Sequence, residues 1–306
     1  MLYRCFKCPA AGLLTSTVLS ELELSVDSEI DSKLKAYNRK LVKSNKHLES
    51  KNNKYVVPVC EPSKICDAKL EYINSRLGTS IDYHEAAQLK IVLDLFTFIK
   101  FNEIESIPGV SFKFMNFINY NYVGFLSTNN NCITFRRIND DDSMMRYQKI
   151  ILKRQNVNSN TFYSIPNHID ELYTHDINIH IAEGTFDILS IYKNLEKSNL
   201  TNNYFYAACG FGYLSILEYL VSNCVCTGLN IHIYSDSDKS NENHMQYLFG
   251  KKNMDVWMDH IFIHRNILPR QPDEEIKLDK NGRIKPIKRD YGVPLSKIQD
   301  TFTKIK

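Results

Sequence analysis

Apolar and polar positions alternate along this chain in two different ways. Upstream, "CDAKLEYINSRLG" places Ala68, Leu70, Ile73 and Leu77 at helical intervals, and Gly78 stands where a helix C-cap would be. The next stretch, "YHEAAQLKIVLDLFTFIKF", carries a long apolar stripe and predicts one long buried helix. "YVGFLSTNNNCITFRRIND" gives two strand-like runs around an Asn-rich turn, the pattern of a hairpin. From residue 177 short β-runs alternate with helical ones: "INIHIAEG", "NYFYAACG", "LNIHIYSD" and "VWMDHIFIH" as strands, with "TFDILSIYKNLEKS", "FGYLSILEYLVSN" and "NENHMQYLFGKK" as helices. That alternation predicts an α/β fold, a mostly parallel sheet flanked by helices, preceded by a mixed α+β subdomain. The boundaries it suggests are a Cys-bearing start at 1–15, a polar linker or helix at 16–54, a first core subdomain at 55–175 and the sheet domain at 176–306.

Candidate chemistry gathers where the predicted strands end. Glu183 and Gly184 close the first strand of the alternating region, Asp187 follows in the first turn of its helix, and Asp236 and Asp238 close the third strand. In open α/β sheets, ligands bind beyond the carboxyl ends of the strands. Like-charged oxygens gathered there repel one another unless a cation neutralises them, and hard carboxylate ligands suit Mg²⁺ or Mn²⁺. Taken singly, an Asp-x-Asp after a strand also reads as a turn and helix cap. His232, His260 and His264 read as packing or surface residues, and Cys224 and Cys226 as buried thiols.

Composition narrows this only slightly. The 306 residues are 43% hydrophobic and 24% charged, with 38 Lys+Arg against 35 Asp+Glu. The net charge of +3 means that any nucleic-acid footprint must come from local clustering. No apolar run approaches the roughly 20 residues of a membrane span. The start, "MLYRCFKCPAAG", lacks the order of a secretory signal, so the eight cysteines are expected to be reduced in a cytoplasmic setting, that of a bacterial host cell if the protein is viral.

The carboxylate pattern resembles the TOPRIM fold shared by bacterial-type primases, topoisomerases and some nucleases. "IAEGTFDILSIY" and "IYSDSDKSN" carry the resemblance, with "YFYAACGFG" similar to the small-residue strand and glycine turn between them. It implies that Glu183 is the isolated glutamate, that Asp236 and Asp238 are the paired aspartates, and that Asp187 matches an acidic position of the primase branch. "KRDYGVP" is similar to a late Lys-Asp stretch near the metal site, which would give Asp290 a place there.

The flanking sequence resembles bacterial and phage primases. "RCFKCPAAG" is similar to the second half of a zinc ribbon, with Cys5 and Cys8 as two of the four ligands a structural zinc needs. The upstream pair would lie before Met1, so poor zinc binding and a shortened or split product are expected. Cys60 and Cys66 read as small hydrophobes rather than replacement ligands. "GFLSTNNNCITFRRINDDDSMMRYQKI" resembles the basic segment preceding TOPRIM, and implies that Arg137, Arg146 and Lys149 hold template phosphates or a nucleoside triphosphate.

The function this implies is a DNA primase, making short RNA primers on single-stranded DNA by divalent-metal-dependent nucleotidyl transfer. No Gly-x-x-x-x-Gly-Lys-Ser/Thr stretch occurs, so a separate replicative helicase is the implied partner. Two alternatives stay open: a TOPRIM nuclease or topoisomerase-like enzyme, and a non-catalytic remnant that binds single-stranded DNA.

Overall fold

The structure, a computed structural model, describes residues 2–4, 11–13, 55–128, 130, 132–139, 143–152, 162–165, 177–195, 202–209, 213, 216–217, 229–236, 260–272, 274, 276, 282–284 and 289–304. Strands β1 (Leu2–Arg4) and β2 (Ala11–Leu13) pair antiparallel on either side, in sequence, of the Cys5–Cys8 stretch. Cys5 and Cys8 themselves lie outside the described residues, as do the 16–54 segment, the Cys224/Cys226 pair and the predicted helix at "NENHMQYLFGKK".

Helix α1 (Lys64–Leu77) starts and stops where its sequence signals lie. The Ser63 side chain accepts a hydrogen bond from the Cys66 amide, and Gly78 adopts φ 65°, with its N–H donating to the Asn74 carbonyl. The single long helix expected over 83–101 is not formed. Two short helices replace it, α2 (Tyr83–Gln88) and α3 (Leu95–Phe101), separated by strand β3 (Ile91–Val92). Local chemistry explains the break: Lys90 takes a left-handed φ of 56°, and the Asp94 carboxylate caps a new helix by accepting from the Thr97 amide. The two β-branched residues between them add to a sheet instead.

After α4 (Phe112–Asn121), strands β4 (Tyr122–Leu126) and β5 (Cys132–Arg137) form the expected hairpin, and β6 (Tyr147–Ile151) completes a four-stranded antiparallel sheet of order β3-β4-β5-β6. Its inner face packs Ile133, Phe135 and Ile150 with Phe98, Ile118 and Tyr122. A second core runs from α1 through Phe125 of β4 to the helix after the first parallel strand, so the two halves of the molecule share buried apolar surface.

The second sheet has six strands: β7 (Tyr163–Ser164), β8 (Ile177–Ala182), β9 (Asn203–Ala207), β10 (Leu229–Ser235), β11 (Ile261–Asn266) and β12 (Asp300–Lys304). Their spatial order is β12-β11-β10-β8-β9-β7, with β8 to β11 mutually parallel and the two edge strands antiparallel. This is the mostly parallel sheet the alternation predicted. Edge strand β7 comes from upstream of residue 176, so the sheet recruits part of the 55–175 segment.

One sheet face is aliphatic, with Ile179, Ile181, Ile231, Ile233, Ile261 and Ile263 all buried. The other carries a stacked row across four strands: Phe205, His180, His232 and Phe262, with centroids 4.8, 5.0 and 5.1 Å apart. Hydrogen bonds link this face laterally. The Asn203 side-chain oxygen lies 2.8 Å from His180 Nε2, and His180 Nδ1 lies 2.9 Å from the Tyr234 hydroxyl. His232 Nδ1 is 2.9 Å from His264 Nε2, whose Nδ1 is 2.8 Å from the Asp300 carboxylate. Asp300 also accepts from the Tyr291 hydroxyl. With His180 donating from Nε2 to Asn203 and accepting at Nδ1 from Tyr234, and His264 donating from Nδ1 to Asp300 and accepting at Nε2 from His232, each of these links is satisfied. The histidines are thus packing residues, as expected, and hydrogen-bonded ones.

Burial pushes His180 down to about 4 and His232 down to about 3, in the latter case helped by neighbouring imidazoles. Above pH 6.5 both folded and unfolded forms are neutral, and the histidines impose no penalty. As pH falls from about 6.5 toward 4, the unfolded chain binds protons that the fold excludes, so stability declines by at most about 1.4 kcal/mol per pH unit for each ring. Urea unfolding at pH 7.5 and 5.5 should show this loss. His232→Phe should make the slope shallower.

Candidate active site

The carboxyl ends of β8 and β10 meet at a point where chain direction across the sheet reverses. From β8 the chain crosses to β9 on one side, and then returns past β8 to lay down β10 on the other. The register pairs Tyr234 with Ala182, so Glu183 and Asp236 leave adjacent parallel strands at nearly the same level. Such a reversal opens a crevice between strand ends, and ligands of α/β sheets bind there. Sequence order had set the two acidic stretches two strands apart; the fold makes those strands neighbours.

From Glu183 the chain turns through Gly184 into α5 (Thr185–Leu195). Gly184 is the cap residue: its carbonyl accepts from the Ile188 amide, and its own amide donates to the Asp187 carboxylate at 2.9 Å. Asp187 thus folds back onto its own helix start, as the acid of a capping box does. The closeness requires glycine, because a Cβ at 184 would stand 2.5 Å from one Asp187 oxygen. The other oxygen is covered by Gly292, where a Cβ would stand 2.8 Å away.

Gly292 belongs to a strap, residues 289–299, tied down at several points. Asn266, at the end of β11, donates to the carbonyls of Asp290 and Lys297 and accepts from the Gln299 amide. Ser190 of α5 donates to the Val293 carbonyl at 2.8 Å, and Arg76, in the last turn of α1, donates to the Gly292 carbonyl at 3.0 Å. The same guanidinium lies 4.6 Å from the centre of the Phe186 ring. Phe186 packs edge-on to Tyr72 and Phe125, which joins α1, β4 and α5 beneath the site.

Asp187 is 9% exposed, and its carboxyl is pushed up to about 7 by burial first and by the negative charges of Asp290 and Asp236 next. Arg76 and the Gly184 amide pull the other way. Asp187 is therefore close enough to feel both Asp290 and Asp236, with Arg76 the cation set against Asp187 and Asp290. Asp290, suggested by the "KRDYGVP" stretch, is brought to the site. Arg76 had no sequence signal beyond being a basic residue in a last helical turn, and its contact with Gly292 spans most of the chain.

Asp238 lies outside the described residues. Among the described residues, no group of three or more His, Cys, Asp or Glu side chains is arranged to hold a metal ion. Nor is any described helix long and apolar enough to cross a membrane.

The three basic candidates separate. Register pairs Thr134 with Lys149 and Arg136 with Tyr147, so these four share the outer face of the β3–β6 sheet. Lys149 is near enough to Cys209, beyond β9, to favour its thiolate, and Cys209 Sγ lies 4.0 Å from the Thr185 hydroxyl at the start of α5. Lys149 therefore lies on the side of its sheet nearest Cys209. Arg137 points to the opposite face and donates to the Met144 carbonyl, which holds the turn before β6. Arg146 lies beside the ring of Tyr147, 5.8 Å from its centre, and Arg136 covers that ring at 4.7 Å. Sequence reading passed over Arg136, whose burial between two strands only the pairing reveals.

Comparison with solved structures finds similarity at low identity. The chain is similar to the RNA polymerase domain of the Mycobacterium tuberculosis primase DnaG, at 13% identity and TM-score 0.43, over 74% of this chain and 75% of that one. It is also similar to the zinc-binding and RNA polymerase domains of the Aquifex aeolicus primase, at 15% identity and TM-score 0.40, over 89% and 68%. A DnaG primase catalytic domain bound to single-stranded DNA matches at 12% identity and TM-score 0.40, over 78% and 74%. No protein-family model matches the chain, and no curated protein matches it.

Two substitutions test the geometry. Gly292→Ala drives a methyl against Asp187, Phe186 and Arg76 and should destabilise the fold by about 1–3 kcal/mol in urea unfolding. Asp187→Asn should act in the opposite sense. Because the folded acid holds its proton up to about pH 7 while an unfolded one releases it near 3.8, ionisation weakens the fold as pH rises through that window. The asparagine variant should therefore unfold at a higher temperature than the parent at pH 8, and the gain should vanish near pH 4.

Proposed function

We propose that this chain is the catalytic core of a DNA primase of the bacterial or phage type, with a TOPRIM-like acidic site that joins ribonucleotides on a single-stranded DNA template. The observation that carries the reading is the electrostatic coupling of Asp187 to Asp290 and Asp236 at the β8/β10 reversal, beside Glu183. A carboxyl that retains its proton to about pH 7 through burial first and neighbouring acids next marks a cluster short of positive charge. Its donors are hard oxygens, which fits Mg²⁺ or Mn²⁺.

Glu183, Asp236 and Asp238 would hold the ions, with Asp187 alongside. Bound there, they would supply Lewis-acid stabilisation of charge on the transferring phosphoryl group. Lys149, near Cys209 on the neighbouring sheet, would attract the phosphates of template or nucleotide. Arg146 and the half-exposed Tyr147 offer a cation and an aromatic surface for a single strand. Arg137 would support this surface from behind, by fixing the turn that presents Arg146. Cys5 and Cys8 would contribute to a zinc site only if two further ligands were supplied. A separate helicase is the partner this reading calls for.

Incubation with single-stranded DNA, ribonucleotides and Mg²⁺ or Mn²⁺ should yield short RNA, and Asp236→Asn should reduce the yield at least about 100-fold. Nicked DNA without RNA would instead favour the nuclease reading. Strand binding without synthesis, unchanged by Asp236→Asn, would favour the remnant.

A further inference from the structure

The parallel sheet ends differently at its two edges. β7 is two residues long, and both are buried. β12 runs for five residues, pairs with β11 in unbroken register, contains no proline or bulge, and has all five residues exposed. Among the described residues, no strand lies along its outer side. Sheet edges are ordinarily kept short, covered or kinked, because their outward N–H and C=O groups recruit another strand.

Register decides which of those groups point outward. Opposed residues of an antiparallel pair alternate between exchanging both backbone hydrogen bonds and exchanging none. Just before β12 the Ile267 amide donates to the Gln299 carbonyl, and the pairing continues in that phase through Arg265 with Thr301 and Ile263 with Thr303. The two threonines therefore direct their backbone groups at β11, while those of Asp300, Phe302 and Lys304 face away from the sheet. The side chains of these three residues alternate onto one sheet face. There Asp300 meets His264, and the Phe302 ring lies 5.4 Å from that of His264 and 5.8 Å from that of Phe262. Phe302 thus extends the stacked row to a fifth strand, yet is 59% exposed.

Laid antiparallel on a copy of itself, the sequence Asp-Thr-Phe-Thr-Lys is its own complement. We propose that β12 is a self-pairing edge through which two copies of this chain join their sheets about a two-fold axis at Phe302. In that register Asp300 of each copy stands opposite Lys304 of the other, Phe302 opposite Phe302, and Thr301 opposite Thr303 on the reverse face. The residues with outward backbone groups are the ones that pair, so each such pair exchanges both hydrogen bonds. Opposite charges meet directly across the strands, and the aromatic row continues from one copy into the next. Sliding by one residue would turn the two faces against each other. Sliding by two keeps the hydrogen bonding but sets Phe302 opposite a charge and leaves an ion pair unmade. The contact is small, so the dimer is reversible and concentration-dependent. It is independent of the reaction proposed above, since β12 lies at the far edge of the sheet from β9 and two strands from β8.

Sedimentation velocity of the full chain over about a hundred-fold range of concentration should show monomer passing into dimer. Phe302→Pro removes the central outward N–H without touching a β11 hydrogen bond, and should weaken association at least about ten-fold. Lys304→Glu would place like charges opposite each other; it should also weaken the dimer, with recovery as salt screens the repulsion. Phe302→Cys tests the register directly, because paired Cα atoms about 5.5 Å apart lie within disulfide reach. Under mild oxidation it should give a covalent dimer well above the parent's background, whereas Thr303→Cys, whose counterpart is displaced along the strand, should not. A chain that stays monomeric throughout, its edge left to some other strand, would overturn the proposal. So would a dimer indifferent to both Phe302→Pro and Lys304→Glu, or equal cross-linking of the two cysteine variants.

Discussion

The structure is organised around a carboxylate held out of water beside other carboxylates. Asp187 sits between two glycine backbones, one from its own helix start and one from a strap near the chain's far end, with Arg76 as the opposing cation. Burial of an acid near like charges is unfavourable on electrostatic grounds. It persists here because the surroundings are over-determined: the α5 cap fixes one oxygen, and the strap that covers the other is pinned by Asn266, Ser190 and Arg76.

The strap in turn depends on the sheet. Tyr291, next to Asp290 and Gly292, donates to Asp300, which also engages His264, and through it His232. A lateral polar chain across the sheet face thus sets where Asp290 lies relative to Asp236. The chain ties the geometry of an acidic site to histidines on neighbouring strands, one of which, His232, burial holds well below the usual imidazole range.

The two halves of the molecule meet over the same ground. Phe186 packs on Tyr72 and Phe125, Lys193 of α5 pairs with Glu85 of α2 at 2.7 Å, and the Tyr163 hydroxyl donates to the Leu89 carbonyl. These contacts pack α1, α2 and β4 against α5, the helix that follows the first parallel strand.

Much of this was legible along the chain because it is local. Period-two runs specify β8, β10 and β11, the Gly78 stop and the Asn-rich turn specify the end of α1 and the β4–β5 hairpin, and Glu-Gly-x-x-Asp specifies a strand end, a cap and an acid one turn on. Where local signals conflicted, at 83–101, an apolar stripe read as one helix while Asp94 and a β-branched pair divided it. The rest was set by contacts between residues distant in sequence. Nothing local places β10 against β8, brings Arg76 to Gly292, or sets Lys149 and Arg137 on opposite faces of their sheet. Sequence determines which elements form because hydrogen bonding and side-chain periodicity act over a few residues; which charges meet is decided only when those elements bury their apolar faces together.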